Sequence, residues 1–165
     1  MDRADFVARF GGVFEHSAWI AERAFDRAAP PSRLDVDWLH AVLSQEFRAA
    51  TDDERLAVLR AHPDLAGRLA IAGVLTEDSL QEQAGAGLDR LTEVEFARFT
   101  DLNTRYHARF GFPFIIAVKG LTKQEILHVF ENRIHHTRPE ELAAACHEVE
   151  KIARLRVEAM DFSGM

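Results

Sequence analysis

The chain has 165 residues, of which 47% are hydrophobic and 28% charged. That suits one globular domain with a core of its own. The formal net charge of -7, with no basic stretch to offset it, argues against a nucleic-acid partner. No apolar run approaches the ~20 residues of a membrane span; the longest, Phe112 to Val118, falls far short. Cys146 is the only cysteine, so no internal disulfide and no cysteine-based zinc cluster can form. The start, Met1 to Asp5, lacks the basic and apolar regions of a signal peptide, and the end carries no peroxisomal Ser-Lys-Leu. These features point to a cytoplasmic protein.

Apolar residues recur at three- and four-residue spacing almost throughout, which predicts an all-α fold. Phe6, Phe10, Val13 and Phe14 form one stripe, interrupted by Gly11-Gly12 and continued by Trp19, Ile20 and Phe25. Ala29-Pro30-Pro31-Ser32 is a break, and a third helix starts near Asp35 with Trp38, Leu39, Val42, Leu43 and Phe47 on its apolar face. The pattern Ser/Thr-x-x-Glu marks helix starts, because hydroxyl and carboxylate satisfy each other's backbone donors. It occurs at Thr51–Glu54, Ser79–Glu82, Thr92–Glu95, Thr122–Glu125 and Thr137–Glu140. Helices are therefore expected near 52–61, 63–71, 79–90, 92–109, 122–136 and 138–161. The expected architecture is a single-domain bundle over 1–165 with about eight to nine helices.

Between Phe110 and Gly120 the pattern changes. Phe112-Pro113-Phe114-Ile115-Ile116-Ala117-Val118 is aromatic and β-branched, as in a strand, yet no second strand is evident to pair with it. It reads as a buried extended segment whose backbone polar groups need partners. Helix neighbours or a ligand could supply them.

Several residues are candidates for chemistry. His62 follows a helical pattern and precedes Pro63, which pushes it out of helical geometry and suits the first turn of another helix. The result is a stiff corner: a mounting for a catalytic base, or merely a helix end. Leu142, Val149 and Arg156 recur every seven residues, so Arg156 lies on the apolar stripe of its helix. A guanidinium there needs an anion or several carbonyls, either an internal carboxylate or an anionic substrate. Ser79 and Glu82 are accounted for locally as a capping box. His128, Glu131 and His135 share one side of a helix and could form a three-ligand metal site. They lack His-Glu-x-x-His spacing and face away from the expected core of Leu127, Phe130 and Ile134. No metal is expected.

Taken together, these stretches resemble the 2-oxo-4-hydroxy-4-carboxy-5-ureidoimidazoline (OHCU) decarboxylases of urate breakdown. The resemblance runs from Phe10-Gly11-Gly12-Val13-Phe14-Glu15-His16-Ser17-Ala18-Trp19-Ile20-Ala21 through His62-Pro63-Asp64-Leu65-Ala66 and Ser79 to Leu88. It continues at Leu102-Asn103-x-x-Tyr106 and Phe110 to Ile115, and closes on Glu148-Val149-x-Lys151-Ile152-Ala153-x-Leu155-Arg156. It implies a cofactor-free, all-helical, commonly dimeric enzyme acting on a small-molecule substrate. His62 would be the catalytic histidine, Glu82 its partner carboxylate and Arg156 the guanidinium that grips substrate. Pro63, Ser79 and the backbone around Phe112, Phe114, Ile116 and Ala117 would line the pocket. Two other readings of the residues are a non-catalytic helical module binding a purine-derived anion or a partner protein, and a metal hydrolase using His128, Glu131 and His135.

Overall fold

The computed structural model describes residues 1–66 and 76–163. Among these there are eight α-helices and no strand. They are α1 (Arg3–Phe10), α2 (Trp19–Arg27), α3 (Val36–Ala49), α4 (Asp52–Ala61), α5 (Glu77–Gly85), α6 (Glu93–Phe110), α7 (Lys123–Arg133) and α8 (Arg138–Glu158). Four of the five expected capping boxes form, each with both reciprocal hydrogen bonds: Thr51–Glu54, Thr92–Glu95, Thr122–Glu125 and Thr137–Glu140. Asp2 and Asp35 cap α1 and α3 through their carboxylates. No helix among the described residues is long and apolar enough to cross a membrane.

Two expectations need correction. The first concerns Pro63 to Ala66, expected to begin a helix over 63–71. They form an irregular turn instead, because Ala66 adopts a left-handed φ of 52° that a right-handed helix cannot continue. The remainder of that stretch, 67–71, lies outside the described residues. The second concerns the helix expected near 79–90, which spans Glu77–Gly85 and is capped by Thr76, whose hydroxyl accepts the Ser79 N–H at 3.3 Å. Ser79 is therefore inside the first turn, and Glu82 is not a capping-box residue.

The chain divides into two units, Met1–Ala61 with Val149–Met165, and His62–Glu148. In the first, Phe6 packs against Phe10, Phe25 and Trp38, and Phe14 against Phe47. Val13 and Phe14 lie beyond the end of α1 yet are buried with the stripe that the sequence assigned them to. Surface ion pairs link its elements: Arg3 with Asp26, Arg23 with Glu54, Arg48 with Glu150 and Arg154 with Asp37. In the second unit the fully buried Tyr106 is ringed by Phe110, Phe112, Phe114 and Phe130. Phe114 and Phe130 stack at a centroid distance of 3.9 Å.

Candidate active site

The corner after α4 is built from the backbone outward. Helix α4 stops at Ala61, and His62 follows it, only 8% exposed. Three side chains from two other helices of the same unit then fix the turn. Gln83 of α5 brackets it: its Oε1 accepts the Ala66 N–H at 2.9 Å and its Nε2 donates to the Asp64 carbonyl at 3.4 Å. Asn103 of α6 donates from Nδ2 to the Leu65 carbonyl at 2.9 Å. His107, one turn further along α6, donates from Nε2 to the Asp64 carboxylate at 2.6 Å. The turn's inner carbonyls and its left-handed residue are thus satisfied by buried amides, as irregular backbone requires.

The same helix that grips the corner carries two more of the predicted residues. Ser79 and Gln83 lie one turn apart and are both buried, and Glu82 is half-buried beside them. Since Thr76 takes the capping task, Glu82 is released from the local explanation that its sequence position offered.

The segment from Phe112 to Val118 is buried and belongs neither to a helix nor to a strand. Helix side chains take two of its polar groups: Arg133 donates to the Ile115 carbonyl at 2.7 Å, and the Ala117 N–H donates to Glu148 at 3.0 Å. The Arg138 guanidinium donates to the Phe110 carbonyl at 3.3 Å just ahead of it. The rings of Phe112 and Phe114 point into the aromatic core, so these two positions offer backbone rather than side chain to a ligand.

Behind the segment sits a buried cluster that the sequence reading passed over. Glu141 accepts from the Tyr106 hydroxyl at 2.5 Å, from Arg133 Nε at 3.0 Å and from His136 Nδ1 at 3.0 Å. Arg133 also lies over the Phe114 ring at 4.5 Å. Burial, and then the bond to Glu141, push the Tyr106 phenol above its ordinary range. Arg133 was legible: Ile126, Phe130 and Arg133 fall on one buried face, the same periodicity argument that singled out Arg156.

Arg156 belongs to the first unit and is buried on α8, as its spacing predicted. Its Nη2 meets the Glu15 carboxylate at 2.9 Å and its Nη1 donates to the Val13 carbonyl at 3.3 Å. The internal carboxylate anticipated as one partner is therefore present. In the sequence Glu15 stands within the Phe10–Ala21 motif, with nothing local to mark it as the partner of Arg156.

The possible metal triad is not assembled. Glu131 binds Arg98 at 2.9 Å, and His128 faces Asn132 at 3.3 Å. Among the described residues no three His, Cys, Asp or Glu side chains are grouped as ligands.

Comparison with known proteins matches residues 1–158 to the family profile described as OHCU decarboxylase. This chain belongs to the OHCU decarboxylase family. It is 39% identical to a 2-oxo-4-hydroxy-4-carboxy-5-ureidoimidazoline decarboxylase of Halalkalicoccus jeotgali, over 96% of this chain and 86% of that protein. A protein of the same name from Haloferax volcanii is 40% identical over 95% of this chain and 89% of its own length. Among solved structures, an (S)-allantoin synthase superposes with a TM-score of 0.76 at 31% identity. That match covers 96% of this chain and half of the other.

Proposed function

We propose that His62, Glu82 and Arg156 carry out the decarboxylation of OHCU to (S)-allantoin and CO2, without a cofactor. The chain is a decarboxylase of urate degradation by family. The assignment of residues is our own. What supports it best is the His62 corner: a buried histidine ending a helix, in a turn anchored by Gln83, Asn103 and His107.

The substrate can act as its own electron sink. The carbon that bears the carboxylate and the hydroxyl neighbours a ring C=N. When the C–C bond to the carboxylate breaks, CO2 leaves and the electron pair passes into that π system. The hydroxyl loses its proton and becomes a ring carbonyl, the former C=N carbon gains a proton on one face, and the former C=N nitrogen, where the electron pair comes to rest, takes up a proton from solvent. The protein has to align the breaking bond with the π system, move two protons and select the face. Positioning supplies a large share of such rate gains. An imidazole titrating near neutrality is suited to both proton movements. In this reading His62 takes the hydroxyl proton and delivers the new C–H. Glu82 fixes the histidine tautomer and contacts polar substrate groups, and Arg156 orients an anionic or carbonyl oxygen. Pro63 and Ser79 line the pocket with backbone from Phe112, Phe114, Ile116 and Ala117. Residues 1–165 act as one decarboxylase domain in a cytoplasmic homodimer, a state that the mass in solution by light scattering reads directly.

The deciding experiment is circular dichroism of the small molecule. OHCU is generated in situ from urate by the two preceding enzymes, and this protein is added. Spontaneous decay gives racemic allantoin and no net signal, whereas the enzyme gives a growing signal of one sign. His62→Asn should abolish that signal with the far-UV spectrum unchanged. Near-normal turnover by that variant would remove His62 from the mechanism.

A further inference from the structure

The stretch from Gly11 to Ser17 belongs to the first motif of the resemblance, and no catalytic part has been given to it. We infer that this loop is a mounting for Arg156, and that Glu15 is a positioning residue for that guanidinium. The inference rests on the reading of Arg156 as a substrate-binding group.

The loop is shaped so that two of its acceptors face one arginine. Gly11 caps α1 with its N–H on the Val7 carbonyl at 2.8 Å. A Cβ at Gly11 would stand 2.5 Å from that same carbonyl oxygen, so a larger residue there would force the end of the helix to shift. Val13 and Ser17 donate their N–H groups to the Phe10 and Phe14 carbonyls, which makes two successive tight turns. His16 between them adopts φ 47°, a left-handed conformation that disfavours any side chain. The Ser17 hydroxyl closes back on the Glu15 carbonyl at 2.8 Å. Val13, Phe14, Glu15 and Ser17 are buried, while Gly12 and His16 are exposed. The two turns bring the Val13 carbonyl and the Glu15 carboxylate onto Arg156, at 3.3 and 2.9 Å.

Two consequences follow from the chemistry of the pair. Glu15 and Arg156 side chains are 1% and 4% exposed, so solvent screens their attraction little. The carboxylate fixes the plane of the guanidinium fork, and with it the directions of the remaining N–H groups. It also cancels the arginine's unit charge. Arg156 therefore meets a substrate oxygen as an oriented donor rather than as a bare cation that any small anion would occupy.

The test uses the full chain in the in-situ assay, with inorganic phosphate as the probe of bare positive charge. Glu15→Asp keeps the charge but draws the carboxylate back by one methylene. It should lower kcat/KM by about 10²-fold, the order expected for an ångström of misplacement, with an unchanged far-UV spectrum and unfolding transition. Glu15→Gln keeps an acceptor but removes the charge, and phosphate should inhibit it about tenfold more strongly than wild type, as expected when a buried cation loses its counter-charge. Calorimetric titration with phosphate reads the same difference without substrate. An E15D rate within twofold of wild type, or equal phosphate affinity in E15Q and wild type, would overturn the inference. A purely structural Glu15 would lower the folded fraction and leave KM and phosphate affinity unmoved. If wild type gave no one-signed signal, the decarboxylase reading would fail, while the calorimetric comparison would still decide the role of Glu15.

Discussion

Among the described residues, each unit buries one arginine against one glutamate, and the two pairs are mounted differently. In the second unit Arg133 and Glu141 are 9% and 0% exposed. Both stand on helices, amid Tyr106, His136, the Phe114 ring and the Ile115 carbonyl. In the first unit the arginine stands on a helix, but its glutamate stands on a loop with a left-handed histidine at the next position. Burial of a guanidinium therefore does not by itself mark a ligand site. The mounting of its partner is more telling. A pair between packed helices shapes the core, whereas a pair held by a strained, glycine-dependent loop sets a direction, and backbone strain of this kind concentrates at functional sites.

Three substitutions put this contrast at risk. The largest effect is expected from Glu141→Ala, which strands the buried Arg133 charge. It should cost about 3–5 kcal/mol in urea unfolding, with the folded fraction keeping its turnover within a few-fold. If E141A instead lost kcat at near-normal stability, the second pair would also be directing chemistry. The next is Tyr106→Phe, expected to cost about 1 kcal/mol for the lost hydrogen bond and to change the alkaline response. Burial, and then Glu141, hold the folded phenol above the ordinary 10.0. The unfolded chain sheds that proton first, so this contribution is present below pH 10 and is lost as the pH rises. Stability of Y106F should decline less above pH 10, and an identical decline would place Tyr106 outside the cluster. The smallest belongs to the loop. His16→Gly relieves a left-handed side chain and should stabilise by up to about 1 kcal/mol, after the glycine's own entropic cost. Destabilisation on thermal melting would mean that the His16 ring has a packing role.

The sequence carried the helices well because their signals are local. Four capping boxes are readable within four residues, and so is the register that buries Arg156. Where reading failed, the competing signal was also local or the partner was distant. Thr76 and Ser79 stand three residues apart and both can cap, so Ser79–Glu82 looked like a box until Thr76 took the position. The turn after His62 is held by Gln83 and Asn103, 17 and 38 residues from the atoms that they bind. No periodicity announces such tethers. Glu15 was invisible for the same reason, since its partner lies at Arg156. His62 was legible as a corner from Pro63 alone, but the reason that the corner is rigid was not.

The segment from Phe112 to Val118 is rich in β-branched and aromatic residues and free of charge, as aggregating strands are, with Pro113 as its one residue that opposes strand pairing. Among the described residues it has no strand neighbour, and its carbonyl at Ile115 and amide at Ala117 are taken by Arg133 and Glu148. Those two groups are therefore closed to pairing with a second chain. The two charged side chains occupy part of the backbone of a stretch whose β-branched and aromatic composition favours pairing. The hydrogen bonds that fix the shape of this backbone are thus also the ones that keep its Ile115 carbonyl and Ala117 amide from other partners.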